Sequence, residues 1–274
     1  MKMKENIETK EKLEGNFVSV VFVRHGETTY QEHVTPDEEK IIIKKNGTTP
    51  TDLTEKGVKT MGNTAKQIIN TLIDKERDVI VFWGSPAWRA QGSKDIIKKT
   101  FEESKVQILK DKEIDYLKYA THHDNDSMVK FWEDVRMLGK STDLIYAYDE
   151  ELQKKTDKLE VASETRKRAE SFINYIHLVM KKVSKGDIKL EKNKRLVFLS
   201  VSHFEILNPI VQDIFGVDLA YGDRDLIKKG EVVALDFVYD EKTDQIKINA
   251  QFRGIKKENI VFDRTSRKFI LEKK

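Results

Sequence analysis

Apolar residues fall along this chain in two rhythms. One is the short, nearly unbroken run: Phe17–Val23, Val79–Trp83 and Leu196–Val201, rich in β-branched and aromatic types and interrupted at most by a serine. Runs of this kind predict strands buried on both faces. Val106–Leu109 is a shorter candidate of the same sort. The other rhythm steps by three and four: Val58, Met61, Ala65, Ile68 and Leu72 form one stripe, and Phe172, Ile173, Ile176, Val179, Met180 and Val183 a longer one. Both predict helices with one buried face.

The punctuation agrees with this reading. Thr54 is a good N-cap for the first helix, because its hydroxyl can accept from the free amides of the first turn. Gly84-Ser85-Pro86 closes the second strand before a helix expected to begin near Ala87. Ile206–Phe215 can form a further helix, with Pro209 tolerated only in its first turn. Val232–Tyr239 and Gln245–Phe252 flank a polar Asp240–Asp244 segment and read as a hairpin. Strands alternating with helices predict an α/β fold.

Residues 1–14 read as a solvated or partly helical polar tail, and 15–274 as a single domain. Within it, 27–52 is loop-like apart from Ile41–Ile43, a possible short edge strand. Residues 119–185 depart most from a minimal α/β unit. Met128, Phe131, Trp132, Val135 and Leu138, then Ile145, Tyr148, Leu152 and Leu159, suggest amphipathic helices forming a cap inserted at about 119–160 over the active site. The longer helix that follows is expected to pack on the sheet.

Composition narrows the partners. Of 274 residues, 35% are charged, but 50 Lys+Arg against 47 Asp+Glu leave a net charge of only +3. That balance argues against a dedicated nucleic-acid or membrane-surface protein and for a small-molecule partner. There is no cysteine, which removes disulfides, thiolate metal sites and a cysteine nucleophile. The start has no apolar signal-like core, and no later stretch approaches the roughly 20 apolar residues needed to cross a bilayer. A cytoplasmic location is the expectation, and the oligomeric state is unreadable.

Chemistry gathers at strand ends. Arg24, His25 and Gly26 follow the first strand, Ser202-His203 closes the fourth, and Arg89 falls in the first turn of the helix after the second. Open α/β sheets bind ligands at the carboxyl ends of their strands, and helix starts favour anions. Taken singly, each residue also has an ordinary structural reading, as a strand-end histidine or a surface arginine.

Together they carry a resemblance. Arg24-His25-Gly26-Glu27-Thr28 resembles the signature of the histidine phosphatase superfamily, in the branch that includes the cofactor-dependent phosphoglycerate mutases. Further segments similar to that family follow in order: Leu53-Thr54 with Gly57, Ser85-Pro86-Ala87-Trp88-Arg89-Ala90, Glu113-Ile114-Asp115-Tyr116, and His203. Thr60-Met61, Leu117 and Phe204 stand where the family usually has Gln-Ala, glycine and glycine.

The resemblance implies a three-layer α/β/α fold with a mostly parallel central sheet. It implies that His25 is a nucleophile forming a phosphohistidine, and that Arg24, Arg89 and His203 hold the phosphoryl oxygens. Glu113 would be the general acid and Thr28 a substrate contact, with no metal and no cofactor required. Glu205 competes for the acid role, since His-x-Glu is similar to the other, phytase-like branch. The expected activity is metal-independent hydrolysis of a small phosphorylated metabolite. Mutase-type phosphotransfer and a non-catalytic phospholigand- or protein-binding role are the alternatives.

Other conspicuous residues have plainer expectations. His177 reads as packed beside an apolar stripe, His122-His123-Asp124 as a loop, and Trp83, Trp88 and Trp132 as core or lid packing. Arg166-Lys167-Arg168 is a possible attractor for an anionic substrate.

Overall fold

Strand β1 (Gly15–Arg24) is the middle of an eight-stranded sheet ordered β3-β2-β4-β1-β5-β6-β7-β8. The structure, a computed structural model, describes residues 15–29, 53–118, 162–191, 193–216, 227–240, 245–263 and 268–271. The predicted tail, the Ile41–Ile43 strand, the cap with Trp132 and His122–Asp124, and the hairpin tip at 241–244 lie outside those residues. On one side of β1, β4 (Arg195–Ser202), β2 (Asp78–Gly84) and β3 (Gln107–Glu113) are all parallel. On the other, β5 (Val232–Asp240), β6 (Gln245–Phe252), β7 (Ile255–Asp263) and β8 (Lys268–Leu271) are antiparallel.

Helices cover both faces, giving the expected three-layer α/β/α arrangement, with a mixed sheet whose parallel part is β3-β2-β4-β1. On one face, Val21, Val23, Phe82 and Leu199 pack with Met61, Ala65 and Ile68 of α1 (Glu55–Thr71) and Ile97 and Phe101 of α2 (Trp88–Glu103). On the other, Val18, Val20, Phe22 and Phe198 pack with Phe172, Ile176 and Met180 of α3 (Ala162–Ser184) and Leu207 and Val211 of α4 (Phe204–Phe215). The long stripe of α3 is buried throughout, as its spacing predicts. No helix among the described residues is long and apolar enough to cross a membrane.

Several expectations need correcting. Val58 is 46% exposed rather than part of the α1 stripe. Its neighbour Gly57 faces inward instead, and the helical step of about 100° turns Val58 to solvent. β3 runs to Glu113, well past Leu109. As an edge strand it carries polar residues that leave no hydrophobic signal. α4 starts at Phe204, so Pro209 lies beyond its first turn, where it supplies no N–H to the carbonyl of Glu205. β7 and β8 were not expected: β7 is mostly half-buried or exposed, and Phe269 and Ile270 of β8 are half-buried and exposed. The turn into β7 is Arg253-Gly254, both at positive φ (48° and 78°), the two-residue hairpin geometry that matches strand twist.

The Arg166-Lys167-Arg168 cluster has structural work. Arg166 grips Asp213 at 2.8 and 3.0 Å, joining α3 to α4. Arg168 donates to the carbonyls of Asp115 and Lys118, at 3.2 and 2.6 Å, around the 3-10 turn Asp115–Leu117. Trp83 is core, as expected, packed on Phe198 with ring centroids 4.4 Å apart.

Candidate active site

The carboxyl ends of β1, β4 and β2 meet the starts of α4 and α2, and the buried polar side chains of Arg24, His25, Ser85, Arg89, Ser93 and His203 occupy that junction. Arg24, 4% exposed, ends β1. Its N–H donates to the carbonyl of Glu231 at 3.1 Å and its carbonyl accepts from Gly230 at 3.0 Å. Its Nη1 donates to the carbonyl of Ile227. Its Cζ lies 5.0 Å from the centroid of the Phe204 ring, a cation–π contact worth about 0.5–2 kcal/mol. The phenylalanine that replaces the expected glycine thus supports a site arginine. Gly230 requires its residue type: φ is +82°, and a Cβ there would stand 2.6 Å from Cγ2 of Thr60.

His25, 3% exposed, turns to the other neighbour of β1: its N–H donates to the carbonyl of Ser202 at 3.0 Å. Its Nδ1 lies 2.7 Å from the carbonyl oxygen of Gly26. A carbonyl only accepts, so Nδ1 carries the proton and Nε2 keeps its lone pair. The Gly26 N–H donates to Ser93 Oγ at 3.0 Å, and that hydroxyl donates to the carbonyl of Arg89 at 2.6 Å. Ser93 therefore joins the histidine loop to the helix that presents Arg89, itself 5% exposed.

His203 sits at the N-cap position of α4 with ordinary extended backbone (φ −118°, ψ 162°) and is 1% exposed. Its Nε2 is 2.8 Å from Ser85 Oγ. The rings of His25 and His203 are 5.0 Å apart at 56°. Burial, then the guanidiniums of Arg89 and Arg24, hold His25 well below the usual imidazole range, with a smaller push from Lys229. Burial, Arg89, His25, Arg24 and Arg168 do the same to His203. Both shifts favour the neutral imidazole at pH 7. Two neutral imidazoles beside two guanidiniums form a site for a tetrahedral oxyanion, with an uncharged nitrogen able to attack it.

Residues 20–249 match the family model of the histidine phosphatase superfamily, branch 1. The chain belongs to that superfamily. No curated protein matches it in sequence. Among solved structures it is similar to YhfR of Bacillus stearothermophilus, with 15% identity, 86% of this chain and 96% of that one covered, and a TM-score of 0.46. A mycobacterial glucosyl-3-phosphoglycerate phosphatase in complex with VO3 shares 13% identity over 86% of this chain and 97% of its own, at a TM-score of 0.47. A phosphoglycerate mutase of Plasmodium falciparum shares 14% over 85% and 98%, at 0.35.

The other site candidates lie on segments that adjoin the central four. Glu113 is exposed at the end of β3, paired with Gly84, the residue before Ser85. Glu205 is half-buried in the first turn of α4, with Oε2 buried. Thr28 is 8% exposed and bridges Leu53 in the loop after His25. Glu27 closes that loop onto α1: its carboxylate accepts from Lys56 at 2.7 Å and Thr54 at 3.2 Å, and its carbonyl from the Thr54 N–H at 3.0 Å. Thr54 caps α1 as expected, accepting from the Gly57 N–H at 3.0 Å. Gly57 is obligatory there, since a Cβ would lie 2.2 Å from the Glu27 carbonyl oxygen.

Sequence reasoning left Ser85, Ser93 and Lys229 without roles, and gave Arg168 only that of drawing in an anionic substrate. Ser85 had a signal, its place after a buried strand like His25 and His203. Lys229 had none, since nothing in Lys228-Lys229-Gly230 distinguishes it from a solvated lysine pair.

Proposed function

We propose that this member of the superfamily hydrolyses phosphomonoesters of small metabolites without a metal ion, through a phosphohistidine on Nε2 of His25. The observation that carries the reading is the pair of buried neutral imidazoles flanked by Arg24 and Arg89. In the first step the Nε2 lone pair attacks phosphorus and the ester P–O bond breaks. Glu113 gives its proton to the departing alkoxide. In the second, water attacks phosphorus, the P–N bond breaks, and the Glu113 carboxylate takes a proton from the water. Arg24, Arg89 and His203 hold the three nonbridging oxygens, and positioning and charge stabilisation do most of the catalysis. Thr28 would contact the ester group from the loop that follows His25.

The test is phosphate release from an aryl phosphate and a panel of phosphomonoesters, with and without chelator, for the wild type and His25→Ala. Turnover that persists in chelator and vanishes in the variant, with acid-labile labelled phosphate trapped on the wild type, supports hydrolysis. Absence of release from every panel member by folded protein would overturn it, leaving mutase-type transfer or ligand binding without turnover.

A further inference from the structure

The sheet face that packs against α3 extends past that helix to β3, where it lines a cavity of about 350 Å³. That size is at the lower end of the roughly 300–1,000 Å³ typical of small-molecule sites. Its floor is aromatic: Trp83, Phe172 and Phe198 are at most 6% exposed. Trp83 lies 5.5 Å from Phe172 and 5.5 Å from Tyr175, centroid to centroid. Tyr175 and Tyr116 form walls and are 47% and 49% exposed.

The rim is cationic. Lys110 pairs with Val81 and Lys112 with Trp83 across the ladder, so both side chains leave β3 on the tryptophan's face and line the cavity. Asp111, between them, points to the opposite face and is engaged by Lys94 at 2.5 Å and Lys98 at 3.0 Å. One face of this strand is thus charge-paired and the other is not: Lys110 and Lys112 have no ion pair among the described residues. A deep aromatic floor beside two uncompensated ammonium groups matches a ligand with a flat apolar ring and an anionic substituent.

We propose that this cavity is a second binding site, for a small planar aromatic anion whose ring stacks against Trp83 and Tyr175 and whose charged group sits between Lys110 and Lys112. Arg24, His25, Arg89 and His203 do not line it, so the proposal stands apart from the phosphatase reading.

Calorimetric titration of the full chain tests it with four probes: 2-naphthoate, its neutral amide, adenosine monophosphate and succinate. Adenosine monophosphate is titrated into His25→Ala protein to prevent turnover. The expected result is one-to-one binding of 2-naphthoate or adenosine monophosphate, with the tighter of the two identifying the anionic group. The amide should bind at least about fivefold more weakly than 2-naphthoate, and succinate not at all. The double variant Lys110→Ala/Lys112→Ala should lose about fivefold or more in affinity for the bound anion while melting at the wild-type temperature, as befits exposed side chains. The proposal fails if neither aromatic anion binds, if the amide binds as well as the acid, or if the double variant binds as well as the wild type. The two lysines would then serve only to keep an exposed sheet edge from pairing with another strand.

Discussion

Nε2 of His203 lies 2.8 Å from Oγ of Ser85, so the residue closing β2 holds the imidazole that follows β4. Ser85 is itself fixed, its N–H donating to Val201 at 3.0 Å and its hydroxyl accepting from Ala87 at 3.3 Å. With that acceptance made, the hydroxyl keeps its proton and a second lone pair, so it can bond either tautomer of neutral His203. Ser85→Ala should lower kcat/KM by roughly 5- to 150-fold, the kinetic equivalent of about 1–3 kcal/mol for a lost buried hydrogen bond. His203→Gln should cost more, about 10²- to 10³-fold. Steady-state kinetics on one phosphomonoester decides it, and wild-type rates in Ser85→Ala would show that the bond does not position the ring for catalysis.

Glu113 and Glu205 can be separated by leaving group. If Glu113 is the acid, Glu113→Gln should lower kcat on an alkyl phosphate by about 10²- to 10⁴-fold yet far less on p-nitrophenyl phosphate, whose leaving group needs little protonation. Glu205→Gln should treat both substrates alike. The reverse pattern would transfer the role to Glu205.

Gly57→Ala probes a contact between two backbones. The new methyl would meet the Glu27 carbonyl at 2.2 Å, and neither partner is the end of a flexible side chain. The loop after His25 must then move or α1 must shift. A loss of about 1–3 kcal/mol in urea unfolding, with a fall in kcat in the residual folded enzyme, is expected. Gly62→Ala, where a Cβ meets nothing within 4 Å, is the control and should be neutral or slightly stabilising.

How much of this was legible beforehand depends on where the information sat. Arg24, His25, Arg89 and His203 announce themselves because each adjoins a buried strand or opens a helix, and an apolar run is visible in one dimension. Phe204 looked like a damaged motif until its ring was found over Arg24, since a partner 180 positions away leaves no trace in local pattern. Lys229 reaches His25 only through the approach to β5, for the same reason. β7 and β8 escaped notice because half-solvated strands carry too little apolar alternation, and β3 was cut short because its outer residues are charged.

Acid should destabilise the fold through the same histidines. Burial and the arginines lower both imidazole pKa values in the folded state, whereas the unfolded chain titrates near the usual value of about 6.5. Above that pH neither state is protonated and the pair contributes no pH dependence. As pH falls through about 6.5 the unfolded chain takes up protons that the native protein refuses, so stability drops by about 1.4 kcal/mol per histidine for each pH unit. Urea unfolding between about pH 7 and about pH 5 should show this slope. The difference between wild type and His203→Gln isolates one proton of it, and identical slopes would mean that His203 titrates normally.

At the far end of the sheet, Asp78 is fully buried and gripped by Arg195 through Nε at 2.7 Å and Nη2 at 2.6 Å. Removing one partner of a buried pair costs about 3–5 kcal/mol. Asp78→Asn should therefore lower the urea midpoint sharply while leaving kcat per folded molecule unchanged, because Asp78 and Arg195 begin the strands whose other ends carry the chemistry. A change in kcat at full folding would contradict that separation.

The two halves of the sheet meet at β1, and its last residues divide their allegiance. Arg24 takes its main-chain bonds from the approach to β5, and the next residue, His25, takes its own from β4. The antiparallel strands, which carry none of the candidate catalytic groups, therefore act as one jaw of the clamp. Were they to slip or be lost, the imidazole would keep its main-chain anchor while the arginine beside it lost its own and kept only the contacts of its side chain.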